Sequence, residues 1–276
     1  MKVTHDFHIH TYLSLCAPDK TGTVENYVES AKKHGLKKIG FANHFWGSNS
    51  GDPEYYKNVR MNPYDYYHTQ NYEYISQIRP EIKAVDCGDI KLYFGCEAEY
   101  DPFKRGIAVT PEQAEELDFI IVPNSHTHMM MQKSLYEPYE KHIEFMFQAF
   151  YDIVDCDLSK YVTAIAHPFR AVASPYDRNI LNKLITDDRY KKAFDAAAQK
   201  GIAIEINVFP LSAGSENAVE KLEEDIRMFL LAKECGCKFI FGSDAHIISE
   251  HKYFSDADKI SDILGLTEED IAEKAR

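Results

Sequence analysis

The sequence has few cysteines for its length, and none has the spacing of a disulfide or zinc-binding scaffold. Its six cysteines are scattered along 276 residues and form no C-x-x-C pair, so we expect neither a disulfide framework nor a structural zinc knuckle. No run approaches the roughly 18 apolar residues of a membrane span. The N-terminal residues lead directly into a strand-like pattern rather than a signal peptide. These absences predict a cytoplasmic protein without a membrane partner.

Basic charge is also scarce. The formal net charge is −13, whereas a surface that binds nucleic acid is normally basic. The charge balance therefore argues against a nucleic-acid partner, although it is compatible with a local basic pocket. The composition is otherwise that of a globular protein, with 45% hydrophobic residues, and a chain of this length buries a full core.

Internal repeats, low-complexity tracts and interdomain linkers are missing too, which favours a single domain over residues 1–276. Instead, short apolar runs rich in Val, Ile and Phe alternate with amphipathic segments. The runs predict buried strands at residues 3–7, 38–42, 90–95, 119–122, 162–166, 203–206 and 239–241. The other segments predict helices at residues 24–34, 66–78, 111–116, 138–154, 180–199 and 219–234, and after residue 256, with a capping box at 267–270.

This alternation indicates an α/β fold with a parallel sheet. At this chain length the sheet closes most economically into a seven- or eight-stranded barrel. An open, doubly wound sheet is the alternative, but the glycine fingerprint of its nucleotide-binding forms is absent after the first strand. Two long connections, at residues 45–67 and 129–139, are expected to shape a pocket at the barrel mouth.

Metal-binding residue types follow six of the seven predicted strands. The motifs are His8-Ile9-His10, Asn43-His44, Glu97-Ala98-Glu99, His126-Thr127-His128, His167-Pro168 and Asp244-Ala245-His246. In a parallel barrel these strand ends meet on one face, where barrel active sites are built. Imidazoles and carboxylates packed there would repel one another or shift their pKa values unless a cation held them together. The pattern therefore predicts bound divalent metal.

The kinds of ligand indicate what such a centre would do. Two residues apart on a strand, His8 and His10 point to the same side and can chelate one ion. A bridging carboxylate holds two ions roughly 3.5–4 Å apart, the spacing of two-metal phosphoryl chemistry. Nitrogen and oxygen ligands without thiolate suit Zn, Mn or Fe. A lone histidine is more often a core or surface residue, and that interpretation applies to His5, His34, His68, His142 and His251.

The order of these motifs resembles that of the PHP (polymerase and histidinol phosphatase) superfamily along essentially the whole chain. The resemblance implies a distorted seven-stranded β/α (TIM-like) barrel, two or three divalent ions, and hydrolysis of phosphate esters. By motif position it implies a first ion at His8, His10, Glu97 and Asp244. It implies a second ion at Glu97, His126 and His167, and a third at His44 and His246 with a ligand from the loop after the first strand.

That loop departs from the family pattern, in which a His or Asp follows the second motif histidine. Here Asp19 is the expected ligand and Cys16 the alternative.

Three further residues are candidates for handling the substrate. Arg170 could clamp two phosphate oxygens with its guanidinium fork, or it could be a surface arginine paired with Asp177. His128 and Glu99 could support the ligands or supply the acid for the leaving oxygen. Asn207 ends the strand that has no assigned ligand, and it could bond to ligands or cap the strand.

The leading hypothesis is a metal-dependent phosphoesterase that hydrolyses a small phosphorylated metabolite, with catalytic residues Glu97, His128 and Arg170. The resemblance makes L-histidinol phosphate, and hence histidine biosynthesis, the first substrate to consider. A nucleotide or oligonucleotide phosphoesterase, an inactive metal-stabilised binding module and an amidohydrolase-type barrel are the alternatives. The sequence determines neither the metal nor the oligomeric state.

Overall fold

The computed structural model describes residues 1–17, 19–47, 52–66, 69–171, 178–208 and 218–276. Its main sheet is parallel, and a separate short antiparallel pair lies beside it. The strands are β1 His5–Ile9, β2 Lys38–Phe41, β3 His44–Phe45, β4 Lys91–Ala98, β5 Tyr100–Asp101, β6 Gly106–Ile107, β7 Phe119–Pro123, β8 Val162–Ala166, β9 Ala203–Asn207 and β10 Phe239–Gly242.

Seven of these strands form the wall of a barrel, in the order β1-β2-β4-β7-β8-β9-β10. The short strand β3 continues along β4, with His44 opposite Glu97. Between the first and last strands, Asp244 N donates to His8 O at 2.7 Å and His10 N donates to Ala245 O at 3.0 Å. These bonds draw the two edges together at a seam without a regular ladder, so the predicted distorted seven-stranded barrel is confirmed over the open sheet.

Helices cover the outside of the barrel. The α-helices are α1 Val24–His34, α2 Pro53–Tyr56, α3 Pro63–Tyr66, α4 Tyr72–Ile75, α5 Arg79–Ala84, α6 Pro111–Glu116, α7 Thr127–Met130, α8 Tyr139–Asp155, α9 Arg178–Leu184, α10 Asp187–Lys200, α11 Ala218–Glu234 and α12 Ala257–Ile263. The 3₁₀ helices are Ser76–Ile78, Lys133–Leu135, Ser159–Tyr161, Ile248–Asp256 and Glu268–Asp270. No helix among the described residues is both long enough and apolar enough to cross a bilayer.

Two predicted helices have different bounds in the structure. The helix expected at 66–78 begins only at Tyr72, because Asn71 accepts a hydrogen bond from Tyr74 N and starts a new helix there. The helix expected at 180–199 is interrupted before Thr186, the extended residue that precedes α10, where two aspartates occupy the first turn. His68 lies outside the described residues.

The lower barrel interior is filled by Phe119. A Cβ at Gly95 would lie 2.3 Å from its ring, and a Cβ at Gly40 would lie 2.7 Å from it. The two glycines on neighbouring strands therefore make room for one large ring, which closes the interior as packing at protein density requires. Chemistry is thus confined to the open end, where the strand carboxyl termini lie.

The two long connections pack against each other beside that open end. Trp46 is fully buried, with its ring centroid 5.4 Å from that of Tyr56. Met61 N donates to His128 O at 2.8 Å, and the Tyr55 hydroxyl donates to Met130 O at 3.0 Å. The connection at residues 45–67 is therefore attached by hydrogen bonds to the segment that carries His128.

Candidate metal centre

Glu97, near the end of β4, lies at the centre of a buried group of histidines. Its carboxylate oxygens lie 2.9–3.6 Å from ring nitrogens of five of them. These are His8 of β1, His10 directly after β1, His44 of β3, His126 after β7 and His167 after β8. The parallel strands therefore bring residues far apart in the sequence to one carboxylate.

One set of candidate ligands lies across the seam of the barrel. The Nε2 atoms of His8 and His10 are 3.0 Å apart, and Asp244 Oδ1 lies 3.5 Å from the first and 3.2 Å from the second. Glu97 Oε2 lies 3.5 Å from both nitrogens. The structure thus brings together the four residues expected around the first ion.

A second set lies on the other side of Glu97. Its Oε1 atom lies 2.9 Å from His167 Nε2 and 3.6 Å from His126 Nε2. Ligand atoms of His44, Glu97 and His126 also lie within 4.8 Å of one another. Because both sets include Glu97, this carboxylate has the position of a bridge.

A third set forms at the outer side, where ligand atoms of His10, His44 and His246 lie within 4.8 Å of one another. Burial would raise the pKa of the Cys16 thiol, but contacts with His44 and His246 lower it to about 6. The carboxylate of Asp19 is exposed and accepts hydrogen bonds from its neighbour Thr21. Neither Asp19 nor Cys16 is among the ligand atoms grouped with the third set, and both residues are exposed.

The hydrogen bonds behind the first set fix which nitrogens carry hydrogen. His8 Nδ1 lies 2.6 Å from Glu205 Oε1, so this nitrogen donates to the carboxylate. The Ser14 hydroxyl donates to Asn43 Oδ1 at 2.9 Å and accepts from His10 Nδ1 at 3.0 Å. In the neutral rings both Nε2 atoms then present lone pairs to each other. A cation between them resolves this conflict, so the residues fit a metal ion.

The second set shows the same conflict. Glu99 accepts from His126 Nδ1, with both oxygens at 3.0 Å, so the His126 Nε2 lone pair faces Glu97 Oε1. Glu97 Oε2 is buried and has no hydrogen-bond donor among the described residues. Burial opposes ionisation of Glu97, but the surrounding histidines hold its pKa well below the usual range. A buried carboxylate in this state suits a bound cation.

Glu205 supports both sets and was missed by the sequence reasoning. It lies on β9, is fully buried, and accepts from His8 Nδ1 and from His167 N, each at 2.6 Å. A Cβ at Gly242 would lie 2.0 Å from its Oε1 atom, so the neighbouring strand needs glycine there. One signal could have revealed it, since a glutamate within an apolar strand requires a buried partner.

Asn207, at the end of the same strand, contacts the first set. Its Nδ2 atom donates to Asp244 Oδ2 at 3.0 Å. Asp244 itself has φ 53°, and His167 has φ 25°, both in the left-handed region that non-glycine residues rarely adopt. Backbone strain of this kind concentrates at functional sites, where surrounding structure maintains it.

A family model for the PHP domain matches residues 6–209 of this chain. The chain belongs to the PHP domain family. The family predicted from the motif order is thereby confirmed. Asp244 and His246 lie beyond the matched residues, yet the barrel brings them to the same face.

The relatives of this PHP domain include enzymes named for phosphate chemistry. Two Clostridium botulinum proteins, from strains Langeland and Hall, are each named a probable phosphatase. Each is 26% identical to it over 273 residues, which cover 98% of this chain and 89% of the relative. Among solved structures, histidinol phosphate phosphatase from Lactococcus lactis, complexed with zinc, L-histidinol and phosphate, matches with a TM-score of 0.62. It is 18% identical, and the match covers 96% of this chain and 94% of that one. This likeness shows a shared fold.

The residues expected to handle the substrate lie beside the sets of this PHP domain. His128 is buried with its ring centroid 5.3 Å from that of His126, and burial lowers its pKa to about 3. Its Nδ1 atom has no hydrogen-bond partner among the described residues. Arg170 is half-buried, and its backbone N–H donates to His167 O at 3.3 Å. Asp177, the alternative partner of Arg170, lies outside the described residues.

Other histidines occupy core positions, as expected. His5 Nε2 accepts from Phe241 N, His251 bonds to Asp6 and Ser30, and His142 bonds to Thr127. His34 is half-buried against the His251 ring.

Proposed function

We propose that this PHP domain is a metal-dependent phosphatase that hydrolyses a small phosphomonoester. The observation that carries the proposal is the position of Glu97, a buried carboxylate shared by two sets of imidazoles on the catalytic face of the barrel. Bridging carboxylates of this kind are typical of two-metal phosphoryl chemistry. The family and the names of its relatives support the same class of reaction.

The proposed ligands follow the three sets. His8, His10, Glu97 and Asp244 hold one ion, and Glu97, His126 and His167 hold another. His44 and His246 contribute to a third. When bound, the ions lower the pKa of a coordinated water towards neutrality and offset the charge of the phosphate oxygens. Zinc, manganese and iron all suit imidazole and carboxylate ligands.

The chain's own groups hold the substrate beside that centre. We assign Arg170 to the phosphate, because a guanidinium fork binds two of its oxygens at once. We assign His128 to the ester or leaving-group oxygen, because its unpaired buried Nδ1 atom is available for a hydrogen bond. The turn after His167 connects the candidate metal ligand to the proposed phosphate-binding residue, since Arg170 N donates to His167 O.

The substrate class follows from the charge of the molecule. A net charge of −13 disfavours a long polyanion and leaves a small phosphorylated metabolite as the preferred substrate. L-Histidinol phosphate is the first compound to test, because the Lactococcus lactis neighbour is a histidinol phosphate phosphatase.

A substrate panel on protein with quantified metal content tests the proposal. We expect at least two transition-metal ions per chain by elemental analysis, and release of phosphate from one or more monoesters, including L-histidinol phosphate and an aryl phosphate. Glu97→Ala protein measured in parallel excludes a contaminating phosphatase. Cleavage of diesters or oligonucleotides without cleavage of monoesters would favour the nuclease alternative. Full metal loading without any hydrolysis would favour the binding module.

A further inference from the structure

The seam between β1 and β10 is closed partly by side chains, where a regular ladder would use backbone carbonyl groups. Phe241 N donates to His5 Nε2, and Ser243 N donates to Asp6 Oδ1, each at 3.0 Å. The Ser243 hydroxyl donates to His8 O at 3.1 Å. Two consecutive side chains of β1 therefore accept backbone N–H groups from β10 and from the residue that directly follows it.

Asp6 holds both sides of this seam at once. The oxygen that accepts from Ser243 N also accepts from His8 N, and that distance is 3.0 Å as well. His8 is a candidate ligand of the first set, and Ser243 directly precedes another, Asp244. Asp6 is fully buried, so water does not compete for these bonds. One carboxylate oxygen thus fixes the backbone beside two candidate ligands that come from opposite edges of the sheet.

The other oxygen of Asp6 is held by the outer layer of the molecule. His251, in the 3₁₀ helix Ile248–Asp256, has Nε2 3.0 Å from Asp6 Oδ2 and Nδ1 2.7 Å from the Ser30 hydroxyl of α1. In the neutral ring Nε2 donates to the carboxylate, and Nδ1 accepts from the serine. His251 is itself fully buried. The carboxylate is therefore fixed at both oxygens.

We propose that Asp6 is a positioning residue for the first metal set, and that His251 and Ser30 hold its carboxylate in the orientation that this role requires. The inference rests on the proposed metal centre and concerns how the chain holds that centre in shape. Without the Asp6 acceptor, the buried N–H groups of His8 and Ser243 are unpaired, which is costly enough to shift the backbone. Such a shift moves His8 and Asp244 away from a common ion.

Two substitutions separate the role of a hydrogen-bond acceptor from that of a negative charge. Asp6→Ala removes the acceptor, whereas Asp6→Asn keeps an amide oxygen for the two N–H groups of the seam. The new amide nitrogen donates to His251 Nε2 once the ring hydrogen has moved to Nδ1, from which it is donated to the Ser30 oxygen. The asparagine variant is therefore expected to preserve the whole network without the charge.

Zinc binding to metal-free protein, titrated against a chelator of known affinity, tests the proposal without reference to activity. We expect Asp6→Ala to bind one ion about 10- to 100-fold more weakly, an effect typical of losing a group that orients metal ligands. Asp6→Asn should bind zinc as the wild type does. Asp152→Ala is the matched control, because this buried carboxylate of α8 also accepts hydrogen bonds, from Tyr100 and Arg105. It should lose stability but keep its affinity for zinc.

Cobalt spectra give a second measurement, which a general loss of stability would not change. The visible absorption of bound Co²⁺ depends on the geometry of its ligands. At saturating cobalt, the spectrum of Asp6→Ala should differ from that of the wild type, and the spectra of Asp6→Asn and Asp152→Ala should match it. His251→Phe should show a smaller change in the same direction, and it provides the test if Asp6→Ala does not fold.

Wild-type zinc affinity and cobalt spectrum in folded Asp6→Ala, or in His251→Phe if only that variant folds, would overturn the proposal. Asp6→Asn protein as defective as Asp6→Ala would also overturn it, because the charge and not the acceptor would then be required. Either result leaves the metal centre and the phosphatase function in place. A wild type that binds no zinc removes the proposed function, and this inference with it.

Discussion

The Glu97 carboxylate contacts ring nitrogens of five histidines, and it belongs to both inner sets of candidate ligands. We expect Glu97→Ala to lose two metal ions and to abolish phosphate release, because both inner sets share this carboxylate. His44→Ala should lose one ion at most and retain more activity. Elemental analysis and initial rates on the same preparations check the comparison. Near-normal rates in Glu97→Ala would remove the residue from the centre.

Arg170 is expected to act on the substrate rather than on the metals. Arg170→Ala should raise KM for a phosphomonoester by roughly tenfold or more, which corresponds to about 1.4 kcal/mol of lost binding. Its metal content should equal that of the wild type. Arg170→Lys should restore only part of the loss, because an ammonium group lacks the two-pronged geometry. An unchanged KM in Arg170→Ala would contradict the phosphate assignment.

At the residue scale, the sequence allowed the histidines to be placed on one face because each follows a strand in its motif. It ranked Asp19 ahead of Cys16, but the carboxylate of Asp19 is exposed and bonds to Thr21. The path of this loop depends on its attachment to Gln70, which comes more than fifty residues later in the chain. The role of Glu205 was equally hidden. Its partners are His8 in β1 and His167 just after β8. Strand β8 pairs directly with β9, but only closure of the barrel brings β1 to the same place.

At the element scale, strands were easier to predict than helices. The seven apolar runs were long enough to identify each barrel strand, because burial on both faces requires continuous hydrophobicity. Helix α1 was predicted within its observed bounds, since Thr23 caps its start and Gly35 takes the left-handed conformation after its end. Helices α9 and α10 were merged, because the apolar spacing continues across their junction and conceals the separate start at Thr186.

Strand β9 contributes Glu205 and Asn207, which hydrogen-bond to candidate ligands and to the backbone beside them. We expect Glu205→Gln to weaken metal binding by about 10- to 100-fold, since a neutral amide holds the His8 ring less firmly and reduces its basicity. Titration against a chelator of known affinity measures the loss. The exposed Glu273→Gln is the matched control. Because the defect is in affinity, saturating zinc should restore much of the activity of Glu205→Gln. Unaltered affinity would show that Glu205 is only a packing residue.

At the scale of the whole molecule, buried neutral histidines make the metal-free fold sensitive to acid. Burial lowers the pKa of His5 from 6.5 to about 3, so at intermediate pH the unfolded chain binds a proton that the folded chain does not. This stabilising contribution is complete above pH 6.5 and is lost as the pH falls towards 3. Each such histidine contributes a slope of up to about 1.4 kcal/mol per pH unit. Urea unfolding of chelated protein should show a shallower slope in His5→Gln, and an identical slope would contradict this account.

The barrel as a whole should depend on its metal ions, because the candidate ligands come from strands on both sides of the seam. His8 belongs to the first strand and His10 directly follows it, whereas Asp244 follows the last strand. A cation shared among them links edges that otherwise have few backbone hydrogen bonds. Free metal at 1000 times its Kd stabilises a fold by about 4 kcal/mol, which for a chain of this size corresponds to roughly 10 °C in Tm.

We therefore expect chelation to lower the Tm of the wild type by roughly that amount, and zinc to restore it. The change in Tm on chelation should be small in Glu97→Ala, because that variant lacks the carboxylate common to the two inner sets. This comparison separates the effect of metal binding from any direct effect of the chelator. Differential scanning calorimetry at fixed pH measures the Tm of the wild type and of Glu97→Ala, each with zinc and after chelation. A wild type that melts at one temperature with and without metal would show that the seam is held by the chain alone, and the multinuclear centre would then have no role in folding.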